Sequence, residues 1–398
     1  MPQSTKYILP VLSALALYAI LDFSYRNGYI KMILKKDQVW HNAASGGLRK
    51  GARSTGIASL DETLNGMYLF YGPALDGSCP GLSVMLAHTL GVFTLSLVVW
   101  SLESLRKGNR TSSASFLYSP TLWGEIGLMV TYAIAMPCYL TAHLFISATA
   151  SKPTADNLSI PIHQLKALII SILLGFMMPC ILVTLPERIT WWLITRQSAI
   201  ALWQLYPIWT TAVHCLANLF IPNAPSSNHN QDRKQLTESR TDWQRTRSAF
   251  RAIYGLAFAV AAISHIATWT ISLTTAMALD NALDSQTAAA LHPAMIFLNT
   301  APWSSAQAAS VGEGALWVLQ WDETISAGAI WLWSLELYRT AHAMHGRTID
   351  WAYLVLKTIA FAMVGGFSGA AVELLWEREE MVLEAALDAG YGVSLSRR

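Results

Sequence analysis

Charge is what this chain has least of. Of its 398 residues only 13% are charged, against roughly 25% in an average soluble domain. A soluble domain of this size would need far more charge to stay dispersed. Positive charge is short too: the net value is +2, which leaves no electrostatic case for binding nucleic acid. Cysteine is sparse. Cys79, Cys138, Cys180 and Cys215 are scattered with no CxxC, so neither zinc-site spacing nor a disulfide framework is present. There is no P-loop, no GxGxxG after a strand and no HExxH. The GGFSG at 365–369 is not the GxSxG of a serine hydrolase. No DDxxD-type aspartate cluster exists to hold magnesium against a diphosphate. No metal or organic cofactor is called for.

What the chain has in abundance is apolar and aromatic surface. Hydrophobic residues make up 53%, with 16 Trp, 14 Tyr and 12 Phe, and the mean hydropathy is +0.35. That is too apolar for a disordered chain. Crossing a bilayer takes about 20 mostly apolar residues as a helix, and lipid leaves no partner for unpaired backbone groups. The ten-residue alternation of a barrel strand is absent. The expected fold is therefore all-α, a polytopic transmembrane bundle in one domain. About eight helices are expected, near 7–23, 82–102, 122–148, 164–185, 197–220, 252–279, 313–338 and 352–376. The first lacks a small-residue cleavage site after it and reads as a retained helix. Pro207 should kink the fifth, and ITWWLIT at 189–195 suits the interface.

The connections differ in character. Residues 24–81 and 221–249 read as long flexible loops rich in polar and basic residues, while 280–312 has no Lys or Arg at all. The excess of positive charge marks the cytoplasmic side, which would put both termini in the lumen, with the endoplasmic reticulum as the expected membrane. No internal repeat is visible, which weighs against a repeat-built transporter.

In a chain this poor in charge, ionisable groups at or inside spans are the chemical signal. Asp322 and Glu323 sit within the seventh segment; Asp22, Asp76, Glu103, Glu125, Glu336 and Glu373 lie near helix ends. His88, His143, His214 and His265 fall within spans, and Asn218 follows His214 by one turn. Each has a plain alternative. Asp76 in GPALDG reads equally as a turn cap. Glu103 with Arg106 at i+3 and Arg110 at i+7 reads as an ion-pair ladder. A lone buried histidine usually satisfies one hydrogen bond. Asp322, flanked by Val318-Leu319-Gln320-Trp321, must be either paired or held neutral.

Residues 70–110 carry Pro73, Asp76 and Gly77, then an apolar helix, then Glu103, Ser104, Arg106, Gly108, Asn109 and Arg110. This stretch resembles fungal integral-membrane proteins of secondary metabolism. HPAMIFLN (292–299) and LQWDETISAGAIWLW (319–333) resemble two later stretches of the same proteins. They are the longer multi-pass terpene cyclases of meroterpenoid and indole-diterpene pathways. The likeness is sharp over about 70 residues and follows helix order through most of the rest. One departure is Glu323, where that family has an aromatic residue.

The resemblance implies a cyclisation of isomerase or lyase type, started by protonation. Its substrate would be a lipophilic polyprenyl chain, often epoxidised, on an aromatic, polyketide or indole head. The bilayer and other pathway enzymes would be its partners. The residue types suit that chemistry. The acid must be neutral before reaction, which burial favours; Asp322 is the first candidate, with Asp76 or Glu103 second. Trp faces stabilise cations, so Trp123, Trp317 and Trp321, with Trp331 and Trp333, are candidate walls. His292, Gln320 or His88 would orient the acid or take the final proton, and His214 with Asn218 is a further binding candidate. Rival readings are an exporter of a lipophilic metabolite, a sterol-isomerase-like enzyme, and a scaffold that tethers soluble enzymes.

Overall fold

A computed structural model describes residues 4–34, 56–110, 115–185, 196–222, 232–277 and 284–396. Among these the ordered elements are all helical, with no strand. The expected all-α class is what the chain adopts.

α1 (Thr5–Arg26) includes a π-helical stretch at Leu17–Asp22. After the short helix Tyr29–Leu34 come α2 (Ala58–Leu75) and α3 (Pro80–Leu105). α3 starts with Pro80 in its first turn, where a missing N–H costs nothing. It is apolar all round, as a helix enclosed by others must be, and most of it is buried. α4 (Pro120–Val130) and α5 (Tyr132–Ile146) follow, then α6 (Ile162–Thr184), α7 (Arg196–Gln204) and α8 (Tyr206–Phe220). The long helices close the chain: α9 (Asp232–Met277), α10 (Val311–Met344) and α11 (Trp351–Ser396).

α3 and α10 pack on each other at the centre. α5 lies against α10, with α1 outside it; α9 and α11 cover α3 and α10 from another side; α6 pairs with α8. One apolar core runs through these helices. Close approaches are made at glycines. A Cβ on Gly175 would stand 2.5 Å from the Cα of Thr210, so α6 seats directly on the α8 backbone. α10 begins at a capping box: Ser310 Oγ accepts from the Glu313 N–H, and Glu313 reaches back to the Ala309 N–H.

Several expected elements are redrawn. The segment 122–148 is two helices, because Thr131 takes φ 81° and ends one before the next begins. The segment 197–220 is also two, broken at Leu205 ahead of Pro207. The loop expected over 24–81 contains α2; its apolar stretch from Met67 to Leu75 packs on α3 and α10. The loop expected over 221–249 is helical from Asp232, since its Gln, Arg and Glu residues are good helix formers. Residues 35–55 of that first expected loop and ITWWLIT (189–195) lie outside the described residues. Among the described residues five helices are long and apolar enough to cross a membrane, against the eight expected: α1, α3, α6, α9 from Gln244 and α11 to Ala386. Two expected spans are broken, and α10, though 34 residues long, carries Asp322, Glu323, Glu336 and Arg339.

Candidate functional site

Asp322 sits midway along α10 and is 6% exposed. The break at Thr131 puts a fresh helix N-terminus against it. The backbone N–H of Ala133 donates to Asp322 Oδ1 at 2.6 Å. The carboxyl thus caps α5 from another helix, doing the work that an N-cap side chain usually does. No guanidinium or ammonium pairs with it among the described residues. The hydroxyls of Tyr71 and Tyr206 lie within electrostatic reach of it.

These tyrosines belong to an aromatic run. Tyr71 meets Trp203 edge-on at 4.9 Å, Trp203 lies 6.4 Å from Tyr206, and Tyr206 meets Phe176 edge-on at 4.8 Å. Tyr132, next to Ala133, packs on Phe93 and Trp100. The hydroxyls of Tyr132 and Tyr206 and one oxygen of Glu125 are buried without a hydrogen-bond partner. Buried polar atoms normally find partners; of these three, the Tyr206 hydroxyl is the one within electrostatic reach of Asp322. Further along α8, one turn past Tyr206, Thr210 and His214 line a cavity of about 160 Å³ with Ser101, Ser104 and Ser171. His214 Nε2 is 3.0 Å from Gln164 Oε1, and its Nδ1 is buried without a partner. Asn218 Nδ2 donates to the His214 carbonyl at 2.9 Å, one turn on as expected.

The other candidates separate into different environments. Glu103 is fully engaged. Arg106 Nε donates to it at 2.7 Å, and Asn109, Thr149 and His143 reach its other oxygen. Trp333 Nε1 donates to His143 Nδ1, so the ring presents Nε2–H to Glu103. Arg106 is also bidentate to Glu379, and Arg378 lies beside that pair. This is the ion-pair reading of Glu103, extended by residues from α11. Asp76 is exposed, and its Oδ1 accepts from the Ser78 N–H in the α2–α3 turn. His292 is exposed and caps the short helix Pro293–Phe297 through Nδ1. Gln320 Nε2 donates to the Met295 and Ile296 carbonyls, and Trp321 Nε1 to the Thr300 carbonyl. Both tie that short helix and its flank to α10. Trp317 stacks on Phe23 at 5.6 Å, and Trp123 donates to the Leu117 carbonyl beside Tyr139. His88 lies apart from Asp322, 3.7 Å from Glu323 Oε1 and 3.0 Å from His265.

Sequence reasoning missed Tyr71, Tyr206 and Trp203. Nothing in their local sequence separates them from other buried aromatics; only the fold brings α2 and the α7–α8 break to Asp322. Among the described residues no group of three or more His, Cys, Asp or Glu could hold a metal ion.

A sequence-family model described as the CtvD domain matches residues 5–383. The chain is 31% identical to the terpene cyclase ctvD of Aspergillus terreus, over 94% of this chain and 98% of that protein. It is 27% identical to the terpene cyclase ascI of Acremonium egyptiacum, over 98% and 95%. It is 26% identical to the terpene cyclase janA of Penicillium janthinellum, over 94% of each. No solved structure matches it.

Proposed function

The chain belongs to the CtvD domain family and is a terpene cyclase of secondary metabolism; on that premise we propose that it works inside a membrane, with Asp322 starting the cyclisation by protonating a prenylated, epoxidised substrate. The observation that carries this reading is a buried carboxyl with no cationic partner, faced by aromatic rings and unpartnered hydroxyls.

Asp322 gives its proton to the epoxide oxygen, the C–O bond opens, and the cation closes rings on neighbouring double bonds. A base in the site takes a C–H proton, which leaves an alkene, so product and substrate are isomers. The faces of Tyr71, Trp203 and Tyr206 suit the passing cation, each such contact being worth about 0.5–2 kcal/mol. The 160 Å³ cavity beside His214 is about the size that holds a benzene-like ring, and its hydroxyls suit an oxygenated head. The outward apolar faces of α1, α6, α8, α9 and α11, with Val11, Ile181, Leu219, Ile263 and Leu356 exposed, suit acyl chains. A lipid-soluble substrate then enters from the bilayer.

The test is expression in a host without such pathways, with microsomes fed an epoxyfarnesyl phenol. Mass spectrometry and NMR should show a ring-closed isomer. Asp322→Asn should lower its rate by about 10²–10⁴-fold, the usual range for a general acid. Cyclisation at full rate in that variant would remove Asp322 from the role. An unchanged substrate with faster efflux of a lipophilic product would favour the exporter reading.

A further inference from the structure

A second, partly buried acid–base group lies on α10 beside Asp322, and the cyclisation step leaves it unused. Glu323 follows Asp322 directly, so their Cα atoms are about 3.8 Å apart. Helix rotation aims Glu323 at different neighbours, α3 and α9 instead of α5. His88 Nδ1, buried and without a hydrogen-bond partner, stands 3.7 Å from Glu323 Oε1. His88 Nε2 is 3.0 Å from His265 Nδ1, one ring donating to the other. His265 is half-buried on α9, flanked by the exposed Ile263 and Ile266. The α11 backbone passes it at Gly366, where a Cβ would come within 3.2 Å of His265 Nδ1.

This trio contrasts with the other buried acid. Glu103 is pinned by Arg106. Among the described residues neither Lys nor Arg bonds to Glu323, His88 or His265; the polar groups facing them are one another, and the rest are rings such as Phe297 and Trp269. Unpaired charge is costly to bury. The trio is therefore cheapest at zero net charge, with one proton shared between the carboxyl and the imidazoles. A proton held that way is free to move.

Asp322 needs such a supply. Its carboxyl is enclosed between the Ala133 N–H and aromatic side chains, and each cycle leaves it as a carboxylate. We propose that His265, His88 and Glu323 form the route that returns a proton to Asp322 after each turnover. The proposal rests on Asp322 as the initiating acid. A proton equal to the one the substrate loses arrives at His265. One N–H bond breaks as the next forms at His88. The proton passes to Glu323; because the two carboxyls face different helices, one water molecule carries it across, the Glu323 O–H and a water O–H breaking as a new water O–H and that of Asp322 form. The trio ends unchanged, and Asp322 is again neutral. Glu323, His88 and His265 act through Asp322 and need not touch the substrate.

Single-turnover and steady-state rates separate this role from a structural one. Wild type, Asp322→Asn, Glu323→Gln, His88→Gln and His265→Gln are compared in microsomes on epoxyfarnesyl phenol, with enzyme first in excess and then limiting. Glu323→Gln and His88→Gln should keep the single-turnover rate within about twofold and lose at least tenfold in steady state. His265→Gln should act in the same direction. Asp322→Asn should lose both. Steady-state rates near wild type in Glu323→Gln and His88→Gln overturn the relay and leave Asp322 standing. Loss of the single turnover in those variants, with Asp322→Asn equally impaired, also overturns it, by placing them in the initiating site or the fold. Full single turnover in Asp322→Asn removes the acid and the relay together.

Discussion

A carboxyl inside an apolar bundle either finds a cation or does without one, and this protein holds one of each kind. Glu103 finds a cation: Arg106, at the end of α3, bridges it to Glu379 on α11. Removing the bridge leaves Glu103 with no bonded arginine and Glu379 with Arg378 alone. Arg106→Met should therefore cost about 3–5 kcal/mol, read as a fall in the melting transition in detergent. Glu103→Gln should cost less, because Arg106 keeps Glu379. Asp322→Asn should behave in the opposite way. Asparagine caps a helix about as well as aspartate, so the Ala133 N–H keeps its acceptor; melting should hold within about 1 kcal/mol while cyclisation collapses. A variant that melts early would mean that its lost activity reports folding. At this scale the sequence was readable where the cause is local. The i+3 pair of Glu103 with Arg106 and the oddity of Asp322 in an apolar run both stand in one stretch of chain. Glu379 beside Arg106, and His88 with His265 beside Glu323, come from helices far apart in sequence, which no local spacing reveals.

Helices here are set by where the backbone can approach another backbone, and glycines record those places. Gly366 has φ 64° and ψ −168° at the kink of α11, a conformation that side chains make costly by about 1–3 kcal/mol. Gly175 has no room because the Thr210 backbone lies against it. Gly255, in α9, has open space where a methyl would stand, with nothing within 4 Å. The same substitution should thus split by site. Gly366→Ala and Gly175→Ala should lower the melting point, while Gly255→Ala should raise stability by roughly 0.5–1 kcal/mol, the ordinary helix preference. Equal effects at the three positions would contradict the described packing. Helix positions followed the apolar runs closely, because those runs are what the core buries. The breaks were less legible. Pro207 announces the one at Leu205, but nothing in Val130-Thr131-Tyr132 announces the turn at Thr131, which is stabilised by Asp322 from another helix. α2 reads as a loop because Gly66, Gly72 and Pro73 interrupt it, and the start of α9 because its residues are polar.

The outer surface of the whole molecule favours a membrane location, and two native cysteines test it. Leu216, Leu219 and Phe220 stand exposed on α8, and Phe145 and Ile146 on α5. Contiguous apolar patches of this kind mark a surface meant for another phase. Cys138 on α5 and Cys215 on α8 are free and exposed on those same helices. In water an exposed thiol reacts readily with a maleimide, since the thiolate is accessible. Within acyl chains the thiolate does not form, and a charged reagent does not arrive. Variants that keep only Cys138 or only Cys215 should therefore resist a charged maleimide in permeabilised microsomes and label fully after SDS. Ser285→Cys, in the exposed first turn of the helix Ser285–Ala290, supplies the control and should label before SDS in the same membranes. Rapid labelling of Cys138 and Cys215 without SDS would put these faces in water. The apolar surface would then need a protein partner to cover it, and the substrate another way in.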